Sequence, residues 1–171
     1  MTVQTMTIQP DEKLAQLLIQ VAGRAGRARK AGEVWLQTHH PTHPLLLSLI
    51  SGGYRAVADT ELAERELAGF PPFAHLALLR AEAKHVDPAN AFLELAKRTF
   101  AEANIAGLDV HGPLPAPMPR RAGFQRAQLL VSSSQRRALH AALDAALPVL
   151  RASSEGKRLR WSVDVDPIDL Y

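Results

Sequence analysis

The apolar positions of this chain change their period several times, and each change marks an element. Over residues 11–28, Leu14, Leu17, Leu18 and Val21 fall at helical spacing. Asp11 and Glu12 stand where negative charge favours a helix start. Residues 33–38 read as a short strand that ends in the proline-rich loop 39–44. A second helix is predicted over 45–69, broken near Gly52 and Gly53; Gly69 suits its C-terminus, and Pro71-Pro72 prevents continuation. From Phe73 the period drops to two. Leu79, Ala81 and Ala83 alternate with Arg80, Glu82 and Lys84, the pattern of a strand with one buried face. Asp87-Pro88 reads as an N-cap with proline at the first helical position, before a helix that buries Phe92, Leu95, Ala96 and Phe100. A strand begins at 108–111 and runs into the proline-rich 112–117, and another covers 126–132. Ser134 is placed to cap a helix burying Leu139, Leu143, Leu147 and Leu150. Trp161, Val163 and Val165 close the series as a strand alternating with Ser162, Asp164 and Asp166. The order βαββαβ predicts an α+β fold in which an antiparallel sheet and two helices form a two-layer sandwich.

Composition refines this picture a little. At 171 residues the chain can bury one good core and a smaller appendage. Aromatic residues make up 5% and alanine is abundant, which favours helices over an all-β fold. No apolar run is long enough to span a bilayer, and residues 1–10 lack the charge and apolar block of a signal peptide. The expectation is a cytoplasmic protein with no membrane partner. The net charge is +3, but nine Lys/Arg against two Asp/Glu fall between Gly112 and Arg160. Such concentration suits a phosphate-backbone footprint or a solubilising surface on a basic domain.

Candidate chemistry begins at Gln20-Val21-Ala22-Gly23-Arg24-Ala25-Gly26-Arg27. Arg24 and Arg27, three apart, would share one face of a helix. Each guanidinium is a planar, permanently charged fork that matches phosphate oxygens in a bidentate way. Two glycines in a helix each cost about 1 kcal/mol relative to alanine and point to close backbone approach. The octet resembles motif VI of superfamily-2 helicases. Downstream come Gly32-Glu33-Val34-Trp35-Leu36-Gln37-Thr38, Glu64-Arg65, Pro71-Pro72-Phe73, Arg80-Ala81-Glu82-Ala83, Gly112-Pro113-Leu114-Pro115-Ala116-Pro117 and Val163-Asp164-Val165-Asp166-Pro167. In this order and spacing they resemble the carboxy-terminal portion of the PriA family of primosomal replication-restart DNA helicases.

The resemblance implies a remnant of the second helicase lobe over 1–44, a helical connector over 45–72, and a DNA-binding and docking domain of small-subunit ribosomal-protein-like fold over 73–171. It makes Arg24 and Arg27 arginine-finger candidates, with Gln20 and Gly23 facing the nucleotide. Full-length members use ATP, magnesium and zinc. Here there is no phosphate loop, no acidic magnesium motif and no cysteine, so the expectation is a fragment without motor activity and without a cofactor or metal of its own. Partners implied are forked or single-stranded DNA, single-stranded-DNA-binding protein and primosome proteins.

Other constellations follow from the residues themselves. Pro113, Pro115, Pro117 and Pro119 stiffen a connection that presents Arg120, Arg121, Phe124 and Arg126, either as a DNA-binding arm or as an ordinary hairpin with a solvated tip. Lys157, Arg158 and Arg160 would extend that footprint, while Trp161 reads as core. His39, His40 and His43 are too loosely spaced, between prolines, to predict a metal site. Asp164 and Asp166 read as solvent-facing or as contacts to an adjoining lobe. A free-standing protein-interaction or RNA-binding module of the same fold is the alternative function.

Overall fold

Two sets of apolar side chains leave water separately, and the chain divides accordingly into compact units, Met1–Glu64 and Arg65–Tyr171. The computed structural model describes residues 10–24, 33–167 and 170.

In the first unit, helix α1 (Pro10–Ala22) and the first half of helix α2 (Pro44–Ala68) bury Ala15, Leu45, Leu46 and Val57, with Leu18 and Leu49 packed beside them. Gln16 Nε2 donates to the Tyr54 hydroxyl at 3.4 Å across this pair. The expected apolar face is only partly used: Leu14, Leu17 and Val21 remain exposed. Ala15 is the α1 side chain fully buried in this cluster, and of the leucine stripe Leu18 packs beside it. α1 ends at Ala22, and the chain turns at Gly23 and Arg24, whose N–H groups donate to Ile19 O and Val21 O; residues 25–28 of the expected helix lie outside the described residues. Residues 33–38 form no strand. An extended segment with no neighbouring strand has no partners for its backbone groups, and these residues lie exposed, Trp35 at 89%. α2 breaks where expected, at Gly53 with φ 65° and ψ −164°, and Gly69 follows its last turn at φ 64°.

In the second unit, strands β1 (His75–Ala83), β2 (Leu108–Arg121), β3 (Phe124–Ser133) and β4 (Arg160–Val165) form one antiparallel sheet in the order β2-β3-β1-β4. Helices α3 (Val86–Glu102) and α4 (Arg136–Ala152) pack against it and against each other. The α+β sandwich predicted from the periods is therefore present. Its core joins Ala77, Leu79 and Ala81 of β1 to Phe92 and Phe100 of α3, Leu129 and Val131 of β3, and Leu139, Leu143 and Leu150 of α4. Trp161 packs on Phe92, with ring centroids 5.1 Å apart, and its Nε1 donates to Gly156 O at 3.0 Å. β1 is more buried than a half-exposed strand. As an inner strand it also hides Leu76 and Leu78, which alternate with the core residues and so lie on the other face.

Three local expectations change. The residue before α3 is His85, so Asp87 sits in its first turn rather than at the cap. Gln135 occupies the N-cap of α4, and the Ser133 hydroxyl accepts from its N–H at 3.1 Å; Ser134 takes no capping role. A short helix α5 (Ser154–Arg158), not expected, is capped by Ser153, whose hydroxyl accepts from Gly156 N–H and donates to Leu150 O.

The prolines also behave differently from a free arm. They lie within β2, an edge strand, where a missing N–H is tolerated. Pro115 pairs with Ala127; lacking an N–H it must take the non-hydrogen-bonded kind of pair, so its nitrogen faces the open edge. Residues 116–119 then bulge opposite Arg126 alone. Ahead of them, Gly112 adopts φ 115° and its carbonyl accepts from Lys97 Nζ at 2.9 Å.

Candidate nucleic-acid interface

The hairpin joining β2 to β3 turns through Ala122 and Gly123, both at positive φ (49° and 82°). This is the two-residue geometry whose twist matches paired strands. Because β1 flanks β3 as far as Ala83 and Gln125, the tip extends scarcely beyond the sheet. The basic residues are thus presented by a sheet end rather than by a projecting arm.

Register decides which of them share a face. Arg121 pairs with Phe124, and Arg126 pairs with Glu82, which pairs on its other side with Arg160. Paired positions and positions two apart lie on one face. Arg121, Phe124, Arg126, Glu82 and Arg160 therefore gather at one end of the face opposite the helices. The Arg160 guanidinium reaches over the Phe124 ring, 5.1 Å from its centroid, which joins two groups that looked separate in the sequence. Lys84, one step beyond the last paired residue of β1, continues the row of Phe124 and is exposed.

Arg126 departs from its expected outward pose. Its side chain is 13% exposed, and its Nε lies 2.9 Å from Glu82 Oε1. Further along the same face, Arg80 Nη1 donates to Asp164 Oδ2 at 3.1 Å, while the Asp164 side chain stays 47% exposed, as a solvent-facing residue would. Asp166 lies 3.9 Å from His75 Nδ1 and donates its N–H to Leu76 O.

Arg120 is exposed but alternates with Arg121, and so belongs to the helix side of the sheet. Lys157 and Arg158 are exposed in the last turn of α5, where positive charge complements the helix dipole. The Ser153 cap and the Trp161 hydrogen bond fix that helix beside the start of β4. In its first turn the Ser154 hydroxyl, 2.8 Å from the Glu155 carboxylate, holds that carboxyl below its ordinary range.

In the first unit, Gln20 is exposed on α1, and Gly23 and Arg24 are exposed in the turn after it. Arg24 is therefore not on a helical face, and Arg27 lies outside the described residues. His40 N–H donates to Thr38 Oγ1 and His43 N–H to His40 O, so backbone turns shape the histidine loop. Among the described residues no group of three His, Cys, Asp or Glu side chains is arranged to hold a metal ion, and no helix is long and apolar enough to cross a membrane.

Glu82 and Lys84 were not singled out from the sequence. Alternation placed them on one strand face, but only the register brings that face beside Phe124 and Arg160.

Comparison with known proteins bears on the whole chain. The family model described as primosomal protein N C-terminal domain matches residues 66–168. The Replication restart protein PriA of Haemophilus influenzae is 45% identical over 167 residues, 97% of this chain and 22% of that protein. The Bacillus subtilis protein of the same name is 32% identical over 157 residues, 91% of this chain and 19% of that protein. The chain thus spans about a fifth of the length of these relatives. Among solved structures, the de novo designed protein Foldit4 aligns at a TM-score of 0.42 and 8% identity, covering 55% of this chain and 97% of that one.

Proposed function

We propose that this chain, which belongs to the primosomal protein N C-terminal domain family, is a nucleic-acid-binding and docking module of the replication-restart machinery. It engages single-stranded or forked DNA through the sheet end that carries Arg121, Phe124 and Arg160, with Arg120, Lys157 and Arg158 as a flanking rim. The observation that carries this reading is the Arg160 guanidinium over the Phe124 ring, at the end of a stretch, Gly112 to Arg160, with nine Lys/Arg against two Asp/Glu. Exposed arginines there can displace counterions from phosphates, and an aromatic ring with a guanidinium over it offers a stacking surface. Arg126, held by Glu82, is assigned a supporting place rather than a phosphate contact. Docking to single-stranded-DNA-binding protein and primosome proteins belongs to the same proposal and rests on the family alone.

The proposal includes no motor activity. The sequence holds no phosphate loop, and Arg24 by itself cannot position magnesium and a nucleotide. An ATPase assay with DNA present should give no turnover above a blank.

Fluorescence anisotropy on forked and single-stranded oligonucleotides across a salt series tests the binding. Changing Arg120, Arg121 and Arg160 together to alanine should weaken binding. It should also flatten the slope of log affinity against log salt by roughly 0.7 for each phosphate no longer neutralised. Unchanged affinity and slope in this variant would overturn the assignment.

A further inference from the structure

Glu82 is an unexpected residue in the middle of the surface proposed to meet DNA. It sits on the inner strand β1, between Arg126 of β3 and Arg160 of β4, in one row across the sheet. Neighbouring strands lie about 4.8 Å apart, so the row spans roughly 10 Å. Arg126 is turned down onto Glu82, and that pair cancels its own charge. Arg160 instead lifts over Phe124. The middle of this surface is therefore an aromatic ring with the Arg160 guanidinium over it, beside a neutralised pair, and Arg121 and Lys84 stand around it.

A phosphate and a base would be received differently by this arrangement. A phosphate over the centre meets the Glu82 carboxylate, which repels it, and finds Arg126 already engaged. An unpaired base meets the ring face and a planar guanidinium, both suited to stacking, and its edge N–H groups face a carboxylate acceptor. The phosphates on either side of that base then fall over the rim. Bases within a duplex are stacked and paired, so their faces are not available to Phe124.

Building on the DNA-binding reading above, we propose that this end of the sheet selects unpaired nucleotides over duplex. The base enters over Phe124 and the phosphates stay at the rim, and Glu82 sets that orientation by neutralising Arg126. Glu82 is then a specificity-determining residue whose loss relaxes selection rather than abolishing binding.

The test uses the full chain and two labelled probes, a short oligodeoxythymidylate and a blunt DNA duplex of the same length. Wild-type protein should prefer the single strand. Phe124→Ala should weaken oligodeoxythymidylate binding on the order of tenfold, with far less effect on duplex. Glu82→Gln should raise duplex affinity several-fold by releasing Arg126 to phosphates. Glu82→Gln with Arg126→Gln should cancel that rise, and because it leaves a neutral pair it remains informative if the single variant is unstable. Equal affinity of the wild type for both probes, equal loss on both in Phe124→Ala, or a duplex affinity unmoved in a folded Glu82→Gln would each overturn selection by this site. Failure of the wild type to bind either probe would instead remove the DNA-binding proposal on which it rests.

Discussion

At Gly112 one added methyl group should meet backbone strain and a steric clash together. Its φ of 115° lies where residues with a side chain are strained, at a cost of about 1–3 kcal/mol. A Cβ there would also lie 2.9 Å from Gln128 O, 3.1 Å from Leu114 N and 3.4 Å from Leu129 Cδ1. The first two are backbone atoms of the β2–β3 ladder and cannot swing aside as a side chain could, so the strands must part, at a further cost of about 1–3 kcal/mol. Gly112→Ala should therefore cost about 2–6 kcal/mol, a large share of the roughly 5–15 kcal/mol that holds a domain together. Gly123→Ala separates the two causes: that glycine also has positive φ, 82°, but nothing lies within 4 Å of its added Cβ. It should cost only the conformational part. Urea unfolding followed by tryptophan fluorescence is a suitable measurement, because Trp35 is already 89% exposed and the change on unfolding comes from Trp161, half-buried against the core. The midpoint should fall with little change in slope. Equal costs for the two variants, or a cost below about 0.5 kcal/mol for Gly112→Ala, would refute the steric reasoning.

Gly156→Ala would place a Cβ beside the Leu150 carbonyl, and should displace α5 and redshift Trp161 emission as its hydrogen bond to Gly156 O loosens. Phe92→Ala removes a fully buried ring of α3 that packs on Trp161 of the sheet, and thermal or chemical unfolding should register a loss of about 3–5 kcal/mol. Deleting residues 1–64 should leave a single cooperative thermal transition, since the large core draws only on later residues; a broad, non-cooperative melt would mean that the first unit helps to hold it.

The second unit was legible because its periods are clean. Leu79, Ala81 and Ala83 alternate, Leu139, Leu143, Leu147 and Leu150 recur at helical spacing, and Trp161 starts a strand with one polar face. What escaped depended on pairing, which periodicity does not encode. The length of β2 was hidden because proline is read as a break, yet an edge strand tolerates it. The neutralised state of Arg126 follows from a partner 44 positions earlier in the chain, Glu82, and no local pattern announces it. In the first unit the leucine stripe of α1 marks a helix, but its use depends on the available packing surface, and there Ala15 fitted better than Leu14 or Leu17. α5 is too short to establish a period of its own.

The proline-bearing edge of β2 has a consequence for how this domain meets other chains. A strand can be added to a sheet only where the border offers both N–H donors and carbonyl acceptors. Along 113–119 four of seven residues are prolines with no donor to give, and residues 116–119 bulge out of line. A foreign peptide cannot continue the ladder there, nor can the same edge of a second copy zip against it. A partner peptide that binds in extended form is thereby directed to the borders that keep their donors, residues 108–111 of β2 and the six residues of β4, or must be held by its side chains alone.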